Sequence, residues 1–199
     1  MRAGLLRRAA RWLPLVLLAV LALPPLRAAL EASMSRHMLL QFPLVALTGA
    51  LLAGRLPAAW RRACDRWNAY GIAGLLLVAL VSALLMIPRV LDLALVDARV
   101  EAAKWLALLA AGAALRLSWA RAGLLVQGFF LGNVLPMMGV VGQLFQDSPL
   151  RLCNAYLLDD QVRLGEALVA VAVLVGVGWG TLAFRALMRT ESEPAPHPG

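Results

Sequence analysis

Long apolar runs that never alternate with polar residues constrain this chain more than any other feature. They cover residues 13–29, 37–53, 70–87, 105–119, 124–145 and 166–184. A bilayer core about 30 Å thick needs roughly 20 apolar residues per helix. Inside lipid, only helices and closed barrels satisfy every backbone group. Barrel strands would alternate apolar with polar, so the pattern predicts an all-α, polytopic transmembrane helical bundle of about six spans. Composition agrees: 62% of residues are hydrophobic, 15% are charged and the mean hydropathy is +0.78, against about 25% charged in a soluble domain. The expected organisation is one transmembrane domain over residues 1–189 and a disordered, proline-rich polar tail over 190–199. The first run, behind Arg2, Arg7, Arg8 and Arg11, also fits the charged and apolar regions of a signal peptide. A retained helix is the preferred reading, because Arg27 falls where a cleavage site would lie.

The basic residues orient the bundle. With both termini cytoplasmic, one side collects Arg2, Arg7, Arg8, Arg11, Arg55, Arg61, Arg62, Arg66, Arg116, Arg121, Arg185 and Arg189. That is twelve of the nineteen basic residues, with three of the eleven acids; the other side has seven basic residues and eight acids. The asymmetry is a positive-inside signal, so the net charge of +8 reports topology and not nucleic-acid binding. Cys64 and Cys153 then fall on opposite sides and cannot pair. No Gly-rich phosphate loop, HExxH helix or Ser/His/Asp set is present, and the chain is not expected to be an enzyme.

On the outer side, the stretch "SMSRHMLL" carries His37, the only histidine outside the tail, between Met34 and Met38. Met86, Met137 and Met138 fall at similar depth. Soft thioethers suit Cu(I), and imidazole accepts copper readily, so these six residues form a candidate metal site. The same methionines also serve as ordinary packing in apolar helices. The acids and bases of "PRVLDLALVDARVEAAK" suggest a short amphipathic helix at the outer interface. Glycines 128, 132, 139 and 142, with 176, 178 and 180, suggest close packing of the last two spans.

"SMSRHMLLQFPLVALTG" resembles the signature helix of the CtaG-type cytochrome c oxidase assembly proteins, which carry two His-Met pairs followed by leucines, prolines and small residues. His37-Met38 stands at the second pair, with Pro43 and Gly49 following. Met34 stands at the first pair's methionine and Ser33 at its histidine. "YLLDDQVRLGEALV" is similar to the family's Asp-Gln segment, through Asp160 and Gln161. The resemblance implies a multi-pass protein of the inner (plasma) membrane. It also implies Cu(I) at the periplasmic face, a copper-containing respiratory oxidase as partner, and Asp160 and Gln161 orienting the site or meeting that partner. A metal-free scaffold or accessory subunit is the alternative, and a small transporter a weaker one.

Overall fold

A computed structural model describes the backbone of residues 2–192 and the side chains of residues 12–189. The helices are α1 (Arg2–Ala22), α2 (Pro24–Glu31), α3 (Met34–Arg36), α4 (Phe42–Ala53), α5 (Ala58–Trp67), α6 (Ile72–Leu85), α7 (Pro88–Val96), α8 (Ala98–Ser118), α9 (Gly123–Asp147) and α10 (Leu158–Ser192). A π-helical turn, His37–Gln41, joins α3 to α4. No strand occurs among the described residues. The expected tail begins inside α10, and residues 193–199 lie outside the described residues.

Prolines and charges set the breaks. Pro24 has no amide hydrogen and drives Leu23 to an extended ψ of 127°, so α2 turns 69° away from α1. Pro43 cannot donate to the carbonyl of Leu39 four residues back. The helix widens just before it, and the Phe42 amide reaches back five residues to the His37 carbonyl.

Three helices are long and apolar enough to cross a membrane: Met34–Ala53, Gly123–Asp147 and Leu158–Arg189. The number rises to five if the bent pairs Trp12–Ala22 with Pro24–Glu31 and Ala58–Trp67 with Ile72–Leu85 each count as one. This is fewer than six for two physical reasons. Helix α6 has only 14 residues, about 21 Å at 1.5 Å per residue. Helix α8 carries Arg99, Glu101, Lys104 and Arg116 along its length.

Helices α4 and α8 form the central pair, with α6 against α8, α10 against α9, and α1 against α4. The α4–α8 crossing is backbone on backbone. A Cβ on Gly112 would run into the Ala46 carbonyl, and one on Gly49 into that of Leu109. Gly142 and Gly165 make the same approach between α9 and α10. The expected glycine seam is therefore confined: Gly132, Gly139, Gly178 and Gly180 face open space. Most of α9 and α10 presents apolar side chains outward, while burial concentrates in the π turn and along the α4–α8 pair. Exposed apolar surface on this scale fits a lipid surround.

Candidate functional site: a buried polar cluster beside a methionine-lined cavity

The π turn places His37 and Gln41 on one side of the helix, and both are fully buried. Facing them from α8 is Lys104, 2% exposed. Its ammonium lies 2.9 Å from His37 Nε2 and donates to Gln41 Oε1 at 3.1 Å. It also pairs with Glu101 at 2.7 Å and with Glu31 of α2 at 3.5 Å. The carboxylates have further partners. The Trp105 indole donates to Glu101 at 2.6 Å; Gln41 Nε2 donates to Glu31 at 3.1 Å, and Arg27 pairs with Glu31 at 3.3 Å. Two cations and two anions thus balance at the edge of an apolar bundle, as a buried charge requires.

The geometry assigns the imidazole tautomer. An ammonium has donors only, so His37 Nε2 must accept from Lys104. Nδ1 then carries the hydrogen and donates to Tyr156 Oη at 2.7 Å. Burial first, and Glu31 second, push the Tyr156 phenol above its ordinary value. Phe42 packs edge-on to the imidazole at 5.2 Å.

Tyr156 reaches His37 because the 148–157 loop is tied at both ends. Asp92 of α7 accepts from the amides of Asn154 at 2.9 Å and Ala155 at 3.2 Å. Gln161 accepts from the Leu152 amide at 2.8 Å and donates to the Phe145 carbonyl at 3.1 Å. Cys153 is buried beneath the Pro88 carbonyl. Burial, followed by the nearby Asp92 charge, pushes its thiol up to about 12. One residue before Gln161, the Asp160 carboxylate accepts from the Met34 amide, from Ser33 Oγ at 2.9 Å and from Ser35 Oγ at 3.1 Å. An aspartate from α10 thus supplies the N-cap that α3 lacks locally.

The candidate ligands separate. Met38 of the π turn, Met86 just past the end of α6 and Met138 of α9 line one apolar cavity of about 370 Å³ with Phe42 and Ser82. Met34 is fully buried in the core. Neither His37, Met34 nor Met137 lines that cavity. Both His37 nitrogens already have partners. Among the described residues, no three His, Cys, Asp or Glu side chains converge as a metal would need. Three soft thioethers therefore share one cavity, and His37, with both ring nitrogens engaged, lies outside it.

Lys104, Glu101, Glu31, Gln41 and Tyr156 were not singled out from the sequence as partners of His37. The available signal was the spacing of Glu101 and Lys104 just ahead of an apolar run, a place where a charge must find a partner. The expected short helix exists as α7, with Asp97 capping α8 through the Arg99 amide at 2.7 Å. No known family model matches the chain, nor does any curated protein or solved structure.

Proposed function

We propose that this protein is a non-enzymatic assembly or accessory factor of a membrane complex, of the type the CtaG-like resemblance implies. The proposed complex is a copper-containing respiratory oxidase of the inner membrane. One observation carries the reading. The two segments that bear the resemblance, 126 residues apart, meet through Asp160 on Ser33 and Met34, with Tyr156 on His37 beside them. In this reading α8 crosses as a sixth span, its Glu101 and Lys104 neutralised within the cluster, both termini are cytoplasmic, and the cluster lies at the periplasmic face. His37 fastens helices together and does not ligate metal.

The shared cavity favours a copper-handling version of the same reading, with Met38, Met86 and Met138 as Cu(I) ligands. When bound, Cu(I) would supply a transferable ion to the oxidase. This chain's contribution is a soft donor set in an apolar pocket.

Two experiments test these readings. Deleting the protein in its host should lower the level of assembled copper oxidase, and an unchanged level removes the assembly role. Purified protein with Cu(I) and reductant should bind the ion. That binding should survive His37→Gln and be lost in Met38→Leu/Met86→Leu/Met138→Leu. Negligible copper in the unmodified chain leaves the metal-free scaffold, and loss with His37→Gln returns the histidine to the ligand set.

A further inference from the structure

Helix α5 is the element the bundle does not use: none of its residues is buried. Its ten residues sort cleanly around the axis. Trp60, Ala63, Cys64 and Trp67 recur at three- and four-residue intervals and share one face, an arc of about 100° at 3.6 residues per turn. Arg61, Arg62, Asp65 and Arg66 occupy the opposite face. Trp60 is 66% exposed and Trp67 is 88% exposed, with Tyr70 just beyond them also exposed.

The direction of this helix is built, not incidental. Gly71 adopts a positive φ of 72°, and a side chain there would strike the Ser118 carbonyl. Asn68 donates to Ser118 Oγ at 2.7 Å and accepts from the Gly74 amide at 3.0 Å. This corner turns α5 by 84° from α6. Asp65, on the polar face, is ion-paired to Arg121 at 2.5 Å, which leaves the tryptophan face directed away from the body. Among the described residues, Arg61, Arg62 and Arg66 have no acidic partner. Four charged side chains in ten residues exclude burial of α5 as a half-span.

We infer that α5 lies in the plane of the bilayer surface, with Trp60 and Trp67 in the interface and Arg61, Arg62 and Arg66 gripping the phosphates of anionic lipid headgroups. With α6 crossing the bilayer, the 84° turn brings α5 into the plane of its surface. Tryptophan is the side chain of choice there, and a basic amphipathic helix binds anionic lipid through area and charge together. The inference rests on the chain being membrane-embedded and not on any role in oxidase assembly.

The test uses the full chain in nanodiscs of equal phosphatidylcholine and phosphatidylglycerol, extracted gently, with retained lipid measured by mass spectrometry. The unmodified protein should retain phosphatidylglycerol preferentially. Each of Arg61→Gln, Arg62→Gln and Arg66→Gln should cut that preference by about fivefold, with helical circular dichroism unchanged. Equal preference in the triple variant overturns the headgroup assignment and points to a protein surface as the occupant of this face. A nitroxide on Cys64, in a Cys153→Ser background, tests depth independently. Oxygen should relax it more strongly than a water-soluble nickel chelate, and the reverse order overturns the in-plane placement.

Discussion

Replacing Lys104 with methionine tests the buried cluster most severely, because that one ammonium serves four acceptors. Its loss leaves Glu101 Oε2 with no cation, removes one of two partners from Glu31 Oε1, and strands His37 Nε2 and Gln41 Oε1. Breaking a buried ion pair from one side costs about 3–5 kcal/mol. Each stranded neutral acceptor adds about 1–3 kcal/mol when no water reaches it. Against this, Arg27 still pairs with Glu31 and Trp105 still donates to Glu101, and both carboxylates keep about a tenth of their surface exposed. The lower ends of these ranges sum to about 5 kcal/mol, and with the retained carboxylate partners the expected loss is about 3–5 kcal/mol. Adding Glu101→Gln removes the orphaned charge, so the double variant should recover about 1–3 kcal/mol relative to the sum of the singles. Unfolding in detergent can be followed through Cys153, which becomes reactive only when its burial is lost, in a Cys64→Ser background. A Lys104→Met protein within about 1 kcal/mol of the parent, or strictly additive singles, would refute the reasoning.

Other outcomes follow from the same contacts. Gly112→Val should separate α4 from α8 and destabilise by about 3 kcal/mol or more, since the new side chain meets the Ala46 backbone and not a movable side chain; Gly132→Ala, facing open space, should be near neutral in the same thermal scan. Asp160→Asn should cost about 1–2 kcal/mol through the lost charged cap of α3, read as earlier melting and faster hydrogen exchange at Met34. With its thiol raised to about 12, Cys153 should resist maleimide at neutral pH in folded protein while Cys64 reacts. Because the unfolded thiol ionises near 9.0, this group's contribution to stability is complete below that pH and is lost as pH climbs toward 12.

Much of the architecture was legible because it follows from local chemistry. Apolar runs specify helices, and Pro24 interrupts the first of them; the turn at Gly71 was not legible, because it lies inside a run that reads as one span. The span count was less legible because it depends on which charges find partners. Lys104 and Glu101 read as interfacial from their neighbours in sequence, yet tertiary contacts with α2 and the π turn bury them. The methionines share a depth that topology alone suggests. Only the helix arrangement reveals that Met38, Met86 and Met138 face one cavity while Met137 does not. Tyr156 had no local signal at all, since its bond to His37 closes across 119 residues.

The central claim is that His37 is a neutral, fully engaged imidazole held between Lys104 and Tyr156. Nitrogen-15 NMR of protein labelled in histidine, with His197→Gln leaving His37 as the single signal, addresses it directly. The account predicts a tautomer protonated at Nδ1 at neutral pH, with shifts unmoved by Cu(I). A hydrogen on Nε2, an imidazolium, or a copper-dependent shift at either nitrogen would contradict it.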